Sequence, residues 1–529
     1  MNQNTDRRSK RKYIRRFAAL LAAAALTVSL TGCSDRIQSL QSILHRQDAE
    51  ESAAGSTAAA AEPGQTQDAA ASATGAAAEV EPGAQAGAGN TSDDGTGAGA
   101  LEEAGYGEGT VLNICCWDDT LEDLFLKYYP SYVDNGDGTG QLGKVKVQWL
   151  MSEDQDDYMK FLSDYLLKAD YLGADERIDL FLASEDDLAT YVSSTYSLDV
   201  RGTLGLTDAE LEDQYPFTQQ MAMDEDGILK AVSYKATPGV FVYRRSIAQS
   251  VLGTDDPEAV QKAVADWDSF VATAGEMKKK GYFMLSGYYD AYAPYRAGAT
   301  KHWERGGVLQ IDDVYPAWAS FTKLMTDSGY HRKTFVGDDN WVSDQGPSGK
   351  VFGFFRSADD IDTRMAAYSL KNASMPPQEG NGIYGDFAIC MGPQAFGRGG
   401  LWILAASGTD NATLDAEIMR KLTCDSGVLQ EIAQGENIFT NTMSGMEALA
   451  AGERTDAFLG GQNAFKTYDY VCGRISAQSA NAFDVRLSSA YRDSMLPYFQ
   501  GDEDMEEATD DFYDYVDRIF PELSLGEED

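Results

Sequence analysis

Cysteine and histidine, the residues that most often bind transition metals, are scarce in this sequence. The chain has six cysteines and three histidines among 529 residues. No Cys-x-x-Cys pair occurs, and His45, His302 and His331 stand far apart. Structural zinc sites need four such ligands at short spacings, so no metal site is expected. The sequence also lacks a glycine-rich nucleotide loop and the Gly-x-Ser-x-Gly and His-Glu-x-x-His motifs, and no cofactor is expected.

The cysteines that follow Cys33 are few and irregularly spaced. They are Cys115, Cys116, Cys390, Cys424 and Cys472. The adjacent pair at 115 and 116 would point to opposite faces of a strand, which disfavours a disulfide between them. Because the number is odd, at least one thiol is expected to be free within a single chain. We predict mostly buried, structural thiols, and their pairing stays open.

Basic residues are also scarce, with 43 Lys and Arg against 84 Asp and Glu, and the formal net charge is −41. Nucleic-acid binding requires clustered lysines and arginines, so nucleic acid is not an expected partner. Docking on an anionic lipid surface is disfavoured for the same reason. A soluble, acidic exterior is the simplest explanation of this charge. After residue 30, no apolar run is long enough to span a bilayer.

The N-terminal region has the composition of an export signal. Lysines and arginines are concentrated between positions 7 and 16, and residues 17–30 form a short apolar segment that ends at Leu30-Thr31-Gly32-Cys33. This order resembles the signal peptide and lipobox of bacterial lipoproteins, in which the cysteine is diacylated and becomes the mature N-terminus. We therefore predict a lipoprotein signal peptide over residues 1–33 with lipidation at Cys33. The alternative is an uncleaved anchor helix with a chance cysteine.

Residues 34–107 have almost no large apolar side chains after Ala49. A segment rich in Ala, Gly, Glu, Asp, Ser, Thr and Pro buries too little surface to offset the entropy lost on ordering. We predict that residues 34–107 form a disordered tether between a lipid anchor and the globular body.

The rest of the chain, about 420 residues, suits two domains rather than one. Strand-like runs at residues 111–117, 145–149 and 178–182 alternate with apolar stripes at helical spacing. A β-α-β-α-β succession predicts a parallel sheet covered by helices, and hence an α/β fold. Residues 134–138 lack the ligand spacing of a calcium loop and are predicted to form a turn.

Residues 232–246 consist of two extended runs separated by Pro238-Gly239. Proline restricts the residue before it, and glycine permits dihedral angles that other residues avoid. The alternation of strands and helices starts again after this break, with capped helices predicted after Asp256 and Asp266. We interpret the break as a hinge crossing between two lobes; the alternative is an ordinary turn inside one sheet. A second crossing is predicted in the glycine-rich stretch 385–411.

A series of short motifs runs through the body in a fixed order. The motifs are Pro238-Gly239, Tyr243-Arg244-Arg245-Ser246-Ile247-Ala248, Leu252-Gly253-Thr254-Asp255-Asp256-Pro257, Asp266-Trp267-Asp268-Ser269-Phe270, Gly281-Tyr282-Phe283-Met284-Leu285-Ser286-Gly287-Tyr288, Gly392-Pro393-Gln394, Gly399-Gly400-Leu401-Trp402-Ile403 and Gly408-Thr409-Asp410-Asn411. From about residue 109 onward, the chain thereby resembles the extracellular (family 1) sugar-binding lipoproteins of bacterial ABC importers, of the multiple-sugar type.

The resemblance implies a two-lobed periplasmic-binding-protein type II fold, in which each lobe is a sheet flanked by helices and hinge strands join the lobes. The predicted bounds are 108–237 for the first part of lobe 1, 238–389 for the first part of lobe 2, 390–437 for the return to lobe 1, and 438–529 for mainly lobe 2 and C-terminal helices. The resemblance also implies a monomer, lipid-anchored on the extracellular face of the cell membrane, that captures a carbohydrate-like ligand and delivers it to ABC permease subunits.

A sugar is held by aromatic rings on its C–H faces and by carboxylates, amides or arginine on its hydroxyl groups. In open α/β sheets such groups lie at strand ends that face a crevice. The predicted ligand-binding residues follow predicted strands, flank the hinge or stand in polar loops; they are Trp117, Asp118, Asp119, Tyr234, Lys235, Tyr289, Asp290, Trp341, Asp360 and Arg398. The competing interpretations are a helix cap for Asp118 and a core position for Trp341.

Some positions depart from the family pattern. The family tends to carry Trp-Gln where Tyr234-Lys235 stands, and Trp-Gly-Gly where Arg398-Gly399-Gly400 stands. Lys235 and Arg398 would suit an acidic or otherwise altered ligand, or would pair with Asp359 or Asp360. A ligand-sensing or adaptor protein without transport is therefore an alternative function. We predict that the protein is not an enzyme; the enzymatic alternative is an extracellular glycan hydrolase whose carboxylates come from Asp118, Asp119, Asp290 and Asp360.

Overall fold

The computed structural model describes residues 109–152 and 155–525. The predicted signal peptide 1–33, the predicted lipidation site Cys33 and the predicted tether 34–107 lie outside the described residues. Within the described ranges, no helix is both long and apolar enough to cross a membrane.

The strands in the described part of the chain are short. They are β1 (Val111–Cys116), β2 (Tyr132–Asp134), β3 (Thr139–Leu142), β4 (Val145–Met151), β5 (Leu180–Ser184), β6 (Pro238–Arg244), β7 (Leu285–Gly287), β8 (Glu304–Arg305), β9 (Val308–Leu309), β10 (His331–Thr334), β11 (Gly353–Ser357), β12 (Phe387–Cys390), β13 (Phe396–Gly397) and β14 (Leu401–Ala405).

Helices occupy more of the described chain than strands do, as expected for sheets covered on their faces. The α-helices are Thr120–Tyr128, Gln155–Lys168, Glu185–Val192, Asp208–Leu211, Pro216–Gln220, Arg245–Leu252, Pro257–Ala263, Trp267–Lys279, Tyr292–Arg296, Val314–Asp327, Asp339–Asp344, Ala358–Asp360, Ala366–Tyr368, Ala412–Thr423, Ser426–Glu436, Met443–Ala450, Ala464–Cys472, Asp484–Ser494, Leu496–Gln500 and Met505–Ile519. Single 3₁₀ turns lie at Ala169–Tyr171 and Ala174–Glu176, and one π-helical turn lies at Ile361–Met365.

The first sheet has the strand order β14-β5-β1-β4-β3-β2. Strand β1 pairs in parallel with both β4 and β5, which confirms the predicted β-α-β-α-β unit. The five residues from Leu112 to Cys116 are all buried although successive side chains point to opposite faces, so the sheet is covered on both sides. The predicted turn at residues 134–138 is confirmed as the tip of the β2–β3 hairpin, where Gly136 and Gly138 have positive φ.

The second sheet is built around β6, which pairs antiparallel with β11, β12 and β13. Alternate residues of β6 enter different cores. Val240 and Val242 pack with the helix Ala464–Cys472, whereas Phe241 and Tyr243 pack with the helix Trp267–Lys279. Strands β7 and β10 form a separate parallel pair. The C-terminal helices pack on the helix Val314–Asp327 in a further core.

The two predicted caps after the break are confirmed. The Asp256 carboxylate accepts a hydrogen bond from the N–H of Ala259 at 3.0 Å, and Pro257 is the first helical residue. The Asp266 carboxylate accepts from the N–H of Ser269 at 2.7 Å, at the start of the helix Trp267–Lys279. Such caps satisfy N–H groups that have no partner within the helix.

Three chain segments pass between the lobes. Residues 232–237 lead from the first sheet, where Val232 bridges Ile403, into β6. Residues 398–400 lead from β13, paired with β6, to β14, paired with β5. Residues 437–441 lead from the helix Ser426–Glu436 to the helix Met443–Ala450. The break at Pro238 is therefore a crossing and not a turn within one sheet.

The second crossing lies later in the chain than the expected return at residue 390. Strand β12 ends at Cys390, and β13 still pairs with β6 through Phe396 and Gly397. The chain leaves the second sheet only at Arg398, whose N–H donates to the carbonyl of Thr237. The sequence contains no strong boundary signal here because both β12 and β14 are short, fully apolar runs.

Candidate functional site

The first and third crossings are joined by backbone hydrogen bonds. The N–H of Asn441 donates to the carbonyl of Tyr234 at 2.9 Å, and the N–H of Ala236 donates to that of Phe439 at 3.2 Å. Tyr234 is fully buried in the first core. The Lys235 ammonium lies 3.1 Å from the Asp359 carboxylate in the second lobe. The crossing therefore places Lys235 at the junction between the lobes.

The environment of Lys235 favours its charged form. Desolvation lowers the pKa of Lys235, but the Tyr234 hydroxyl and the Asp359 carboxylate outweigh it and leave the pKa raised. Asp118 at the end of β1 contributes in the same direction. Lys235 is thus paired within the protein, which is one of the two outcomes expected from the sequence.

A cavity of about 560 Å³ lies beside the first and third crossings. Its walls are formed by Lys235, by residues 358–364 after β11, by residues 436–439, by residues 454–457 and by the start of the helix Ala464–Cys472. Lys235 and Asp360 are the predicted ligand residues that line it. The charged groups around the cavity are Lys235, Asp359, Asp360, Asp362, Arg364, Glu436, Arg454 and Asp456.

The residues after β1 stand at the edge of the first lobe. Trp117 is half-buried, and its ring meets that of Tyr158 edge-on at 5.3 Å. Asp118 and Asp119 are exposed, and the Asp118 carboxylate accepts from the N–H of Thr120 at 3.0 Å, at the start of a helix. Asp118 therefore helps to begin the helix Thr120–Tyr128. Burial raises the pKa of Tyr234 to about 12, and the charges of Asp359 and Asp118 contribute in the same direction.

Asp290 and Trp341 lie inside the second lobe and do not line the cavity beside the first and third crossings. The Asp290 carboxylate accepts from the N–H groups of Ser286 and Gly287, both at 2.9 Å, and from Trp341 Nε1 at 3.1 Å. The Arg356 guanidinium lies over the Trp341 ring, 4.3 Å from its centroid. Burial raises the pKa of Asp290. Both side chains support the end of β7 and the adjacent loop, as the core interpretation of Trp341 predicts.

Tyr289 faces a different core. Its ring contacts those of Trp318 and Phe335, and the Arg492 guanidinium lies 5.1 Å from its centroid. The structure therefore does not bring Tyr289 together with Lys235 and Asp360. Neither Tyr289 nor Asp290 lines the cavity beside the crossings.

The second crossing carries a contact between lobes that residue type alone does not indicate. Glu185, directly after β5, accepts from Arg296 Nη2 in the second lobe at 2.7 Å and from the N–H of Gly399. Both charged residues line a smaller cavity of about 170 Å³. Burial raises the pKa of Glu185, opposed by the charge of Arg296. The half-buried side chain of Arg398 makes no hydrogen bond or ion pair with any described residue.

Sequence reasoning missed several residues of this region. Asp362, Arg454, Asp456 and Tyr468 line the larger cavity, and Glu185 and Arg296 connect the lobes. The run Asp359-Asp360-Ile361-Asp362 was the available signal for Asp362. Asp456 and Tyr468 come from a segment with no local pattern that distinguishes them from solvent-exposed acids and core aromatics.

The described residues offer no cluster of three His, Cys, Asp or Glu side chains that would hold a metal ion. The five described cysteines are all free thiols, and Cys115, Cys116, Cys390 and Cys472 are buried. Burial raises the pKa of Cys390 to about 12. The prediction of mostly buried, structural thiols is confirmed.

No protein-family model matches the chain, and no curated protein matches its sequence. A crystal structure of an extracellular solute-binding protein family 1 member matches it with a TM-score of 0.66 at 14% identity, covering 78% of this chain and 100% of that one. The sugar-binding protein MalE from Xanthomonas citri matches with a TM-score of 0.59 at 12% identity, covering 78% and 97%. The galacto-N-biose-/lacto-N-biose I-binding protein of the ABC transporter from Bifidobacterium longum matches with a TM-score of 0.56 at 14% identity, covering 79% and 100%.

These likenesses show that the chain has the two-lobed α/β fold of extracellular solute-binding proteins of family 1. They confirm, at the level of the fold, the resemblance seen in the sequence motifs. Each of the three matched proteins is named as a binding protein.

Proposed function

We propose that this protein is an extracellular solute-binding protein that captures a carbohydrate-like ligand between its two lobes and delivers it to an ABC permease. The observation that carries the proposal is the convergence of the first and third crossings on a polar cavity. A few residues at such crossings are enough to absorb the dihedral changes of a hinge motion.

The cavity has the chemistry that a saccharide requires. Carboxylates of Asp359, Asp360 and Asp362 provide acceptors for hydroxyl groups, and Arg364 and Arg454 provide donors. The rings of Phe439, Phe465 and Tyr468 supply an aromatic wall. The matched proteins from Xanthomonas citri and Bifidobacterium longum are named as sugar-binding, which supports the same class of ligand here.

A ligand shifts the balance between open and closed forms only by its differential affinity for the two. The captured solute must therefore touch both lobes. Asp359 and Asp360 line the cavity in the second lobe. Trp117 and Asp118, at the end of β1, are the residues from which we expect contacts of the first lobe once the lobes close. The ion pair between Glu185 and Arg296 joins the lobes at the second crossing.

The proposal includes attachment through a lipid on Cys33. The charged, apolar and small-residue order of residues 7–33 supports it, and the polar composition of residues 34–107 suits a flexible tether. A single lipid-modified cysteine would hold the binding domain on the extracellular face of the membrane, near the permease, without inserting it.

The experiment is to screen a panel of neutral di- to tetrasaccharides by small-angle X-ray scattering and thermal unfolding. We expect at least one sugar to lower the radius of gyration and to raise the melting temperature. A ligand at 100 times its Kd stabilises the folded state by about 2.7 kcal/mol. If no sugar changes either quantity, the proposal fails.

A matched pair of variants locates the site. Lys235→Met removes the ammonium at the first crossing and is expected to weaken binding by about tenfold or more, which is about 1.4 kcal/mol. Lys262→Met removes an exposed ammonium from the helix Pro257–Ala263 and is expected to leave binding unchanged. Equal affinities for the two variants would place the ligand elsewhere.

A further inference from the structure

The larger cavity beside the crossings carries an excess of negative charge. Five carboxylates line it, against one lysine and two arginines. Asp359 is paired with Lys235 at 3.1 Å, and Asp360 lies 3.4 Å from Arg356 and 3.6 Å from Arg364. Glu436 is paired with Lys127 at 2.9 Å. Asp362 and Asp456 are the two lining carboxylates with no described lysine or arginine within ion-pair distance.

Asp362 and Asp456 line the same cavity, and the charge of Asp456 acts on the carboxyl of Asp362. Asp456 also accepts from the N–H groups of Phe458 and Leu459, and Asp362 accepts from Asn437 Nδ2 at 2.6 Å. Desolvation first, and repulsion from Asp456 second, raise the pKa of Asp362, and the charge of Arg454 opposes them. Asp362 is an exposed residue whose carboxylate a ligand can reach.

Tyr468 supplies a second, independent feature. Its side chain is buried, with 5% of the residue exposed, and it lines the same cavity. Its ring packs near Phe439 and Phe465 at centroid distances of 5.7 and 6.3 Å. Its hydroxyl makes no hydrogen bond with any described residue, although the charges of Asp362 and Asp456 act on it. A buried hydroxyl facing a polar cavity is an acceptor available to a ligand.

We propose that this cavity receives a primary ammonium group of the ligand, so that the captured solute is an amine-bearing saccharide. The inference rests on the proposed function for the saccharide part. An ammonium has three donors and no acceptor, and the oxygens of Asp362, Asp456 and Tyr468 supply three acceptors. On binding, the ammonium places a positive charge beside these carboxylates and donates its hydrogen bonds to the three oxygens.

The neighbouring arginine does not occupy this position. The Arg454 guanidinium lies over the Phe465 ring, 4.5 Å from its centroid, and donates to Asn437 Oδ1. Its stacking and its hydrogen bond hold it at the cavity wall. Arg454 therefore forms no ion pair with Asp362 or Asp456, although its charge acts on both.

The test is isothermal titration calorimetry with three probes. They are the disaccharide of two β-1,4-linked glucosamine units, its di-N-acetylated form and putrescine. We expect the amino disaccharide to bind at least about tenfold more tightly than the acetylated one. Asp362→Asn and Asp456→Asn are expected to abolish that preference. Glu453→Gln, an exposed acid next to Arg454 that does not line the cavity, is expected to keep it.

Circular dichroism checks that each variant is folded. Asp362→Asn and Asp456→Asn must both lose the preference for the amino disaccharide. Equal or weaker binding of the amino disaccharide, including no binding, overturns the inference. If putrescine binds as tightly as the amino disaccharide, the ligand need not be a saccharide, and that part of the inference is overturned. Lobe closure with a neutral sugar but no preference for the amine would leave the proposed function standing while this inference fails.

Discussion

Glu185 of the first lobe and Arg296 of the second lobe form an ion pair with an Nη2–Oε1 distance of 2.7 Å. Glu185 also accepts from the N–H of Gly399 in the second crossing. One carboxylate thus contacts both lobes and the segment that connects them. Its side chain is 13% exposed, so the pair is far less solvated than a surface ion pair.

Arg296→Met is expected to lower the free energy of unfolding by about 1–3 kcal/mol, because it leaves the Glu185 carboxylate buried without its partner. Urea unfolding measures this quantity. The control is Arg364→Met, which removes an arginine whose side chain is 70% exposed and lies 3.6 Å from Asp360. We expect a loss below about 1 kcal/mol for the control. Equal losses would show that the ion pair between Glu185 and Arg296 contributes no more to the free energy of unfolding than an exposed ion pair.

The buried carboxyls of Asp179 and Asp415 are bridged by Thr409. The Thr409 hydroxyl lies 2.7 Å from Asp179 and 2.8 Å from Asp415. A hydroxyl has one proton to donate, so one carboxyl must be protonated and donate in return. Burial raises the pKa of Asp179 to about 6, and burial together with the Asp179 charge raises that of Asp415 well above its usual range.

The folded state therefore holds protons here that the unfolded state has lost above about pH 4. Stability contributed by the pair falls as pH rises from about 4 through about 6. Asp415→Asn keeps a donor to Thr409 without the charge and is expected to stabilise the protein at pH 8 by about 1–3 kcal/mol. Thermal unfolding at pH 5 and pH 8 measures this change in stability, and Asp226→Asn, at an exposed aspartate, is the control. A destabilised Asn variant at pH 8 contradicts the assignment.

The pKa values of the two described histidines are displaced in opposite directions from the ordinary value. His302 Nδ1 lies 2.6 Å from the Asp484 carboxylate, and this hydrogen bond raises the pKa of His302. Burial lowers the pKa of His331 to about 4. The pair of His302 and Asp484 therefore adds stability at low pH that is lost as pH rises through the His302 pKa, whereas His331 costs stability when the pH falls below about 6.

Proton NMR titration resolves these residues because the chain has only three histidines. We expect one imidazole to titrate above pH 6.5 and to return toward the ordinary value in Asp484→Asn. A second imidazole should remain neutral down to about pH 4, both in the unmodified protein and in Asp484→Asn. Titration of both near pH 6.5 would contradict the packing of the two side chains.

The reactivity of the cysteine thiols tests how deeply each of them is buried. Cys115, Cys116, Cys390 and Cys472 are buried, and Cys424 is half-buried. Among these five, we expect Cys424 to react first with a thiol reagent in the native protein and the others only on unfolding. Peptide mass spectrometry after timed labelling identifies the site. Early labelling of Cys115 would contradict its burial in β1.

Local patterns were sufficient for much of the fold. The apolar and alternating runs of β1, β4 and β5 and the caps at Asp256 and Asp266 depend on neighbours within one turn or strand. The β2–β3 hairpin strands and the β7–β10 pair were not predicted, and the second crossing was predicted only to lie within residues 385–411. Their strands have two to four residues, too few to show a period.

The candidate site was only partly predictable. Lys235 and Asp360 do line one cavity, because a crossing and a strand end are recognisable in sequence. Tyr289, Asp290 and Trp341 have suitable side chains but are directed into the second lobe, where other core residues and backbone donors surround them. Asp456 and Tyr468 reach the cavity from about 100 residues further along the chain.

The sequence by itself determined the α/β class, the two lobes and the break at Pro238, because periodicity, caps and proline act through local sterics and hydrogen bonds. Only the tertiary structure decided which carboxylates share a proton, which ones are paired with lysine or arginine, and which side chains face the cavity. Those properties depend on distances between groups from remote segments, and chain folding brings such groups within hydrogen-bond range without any local signal.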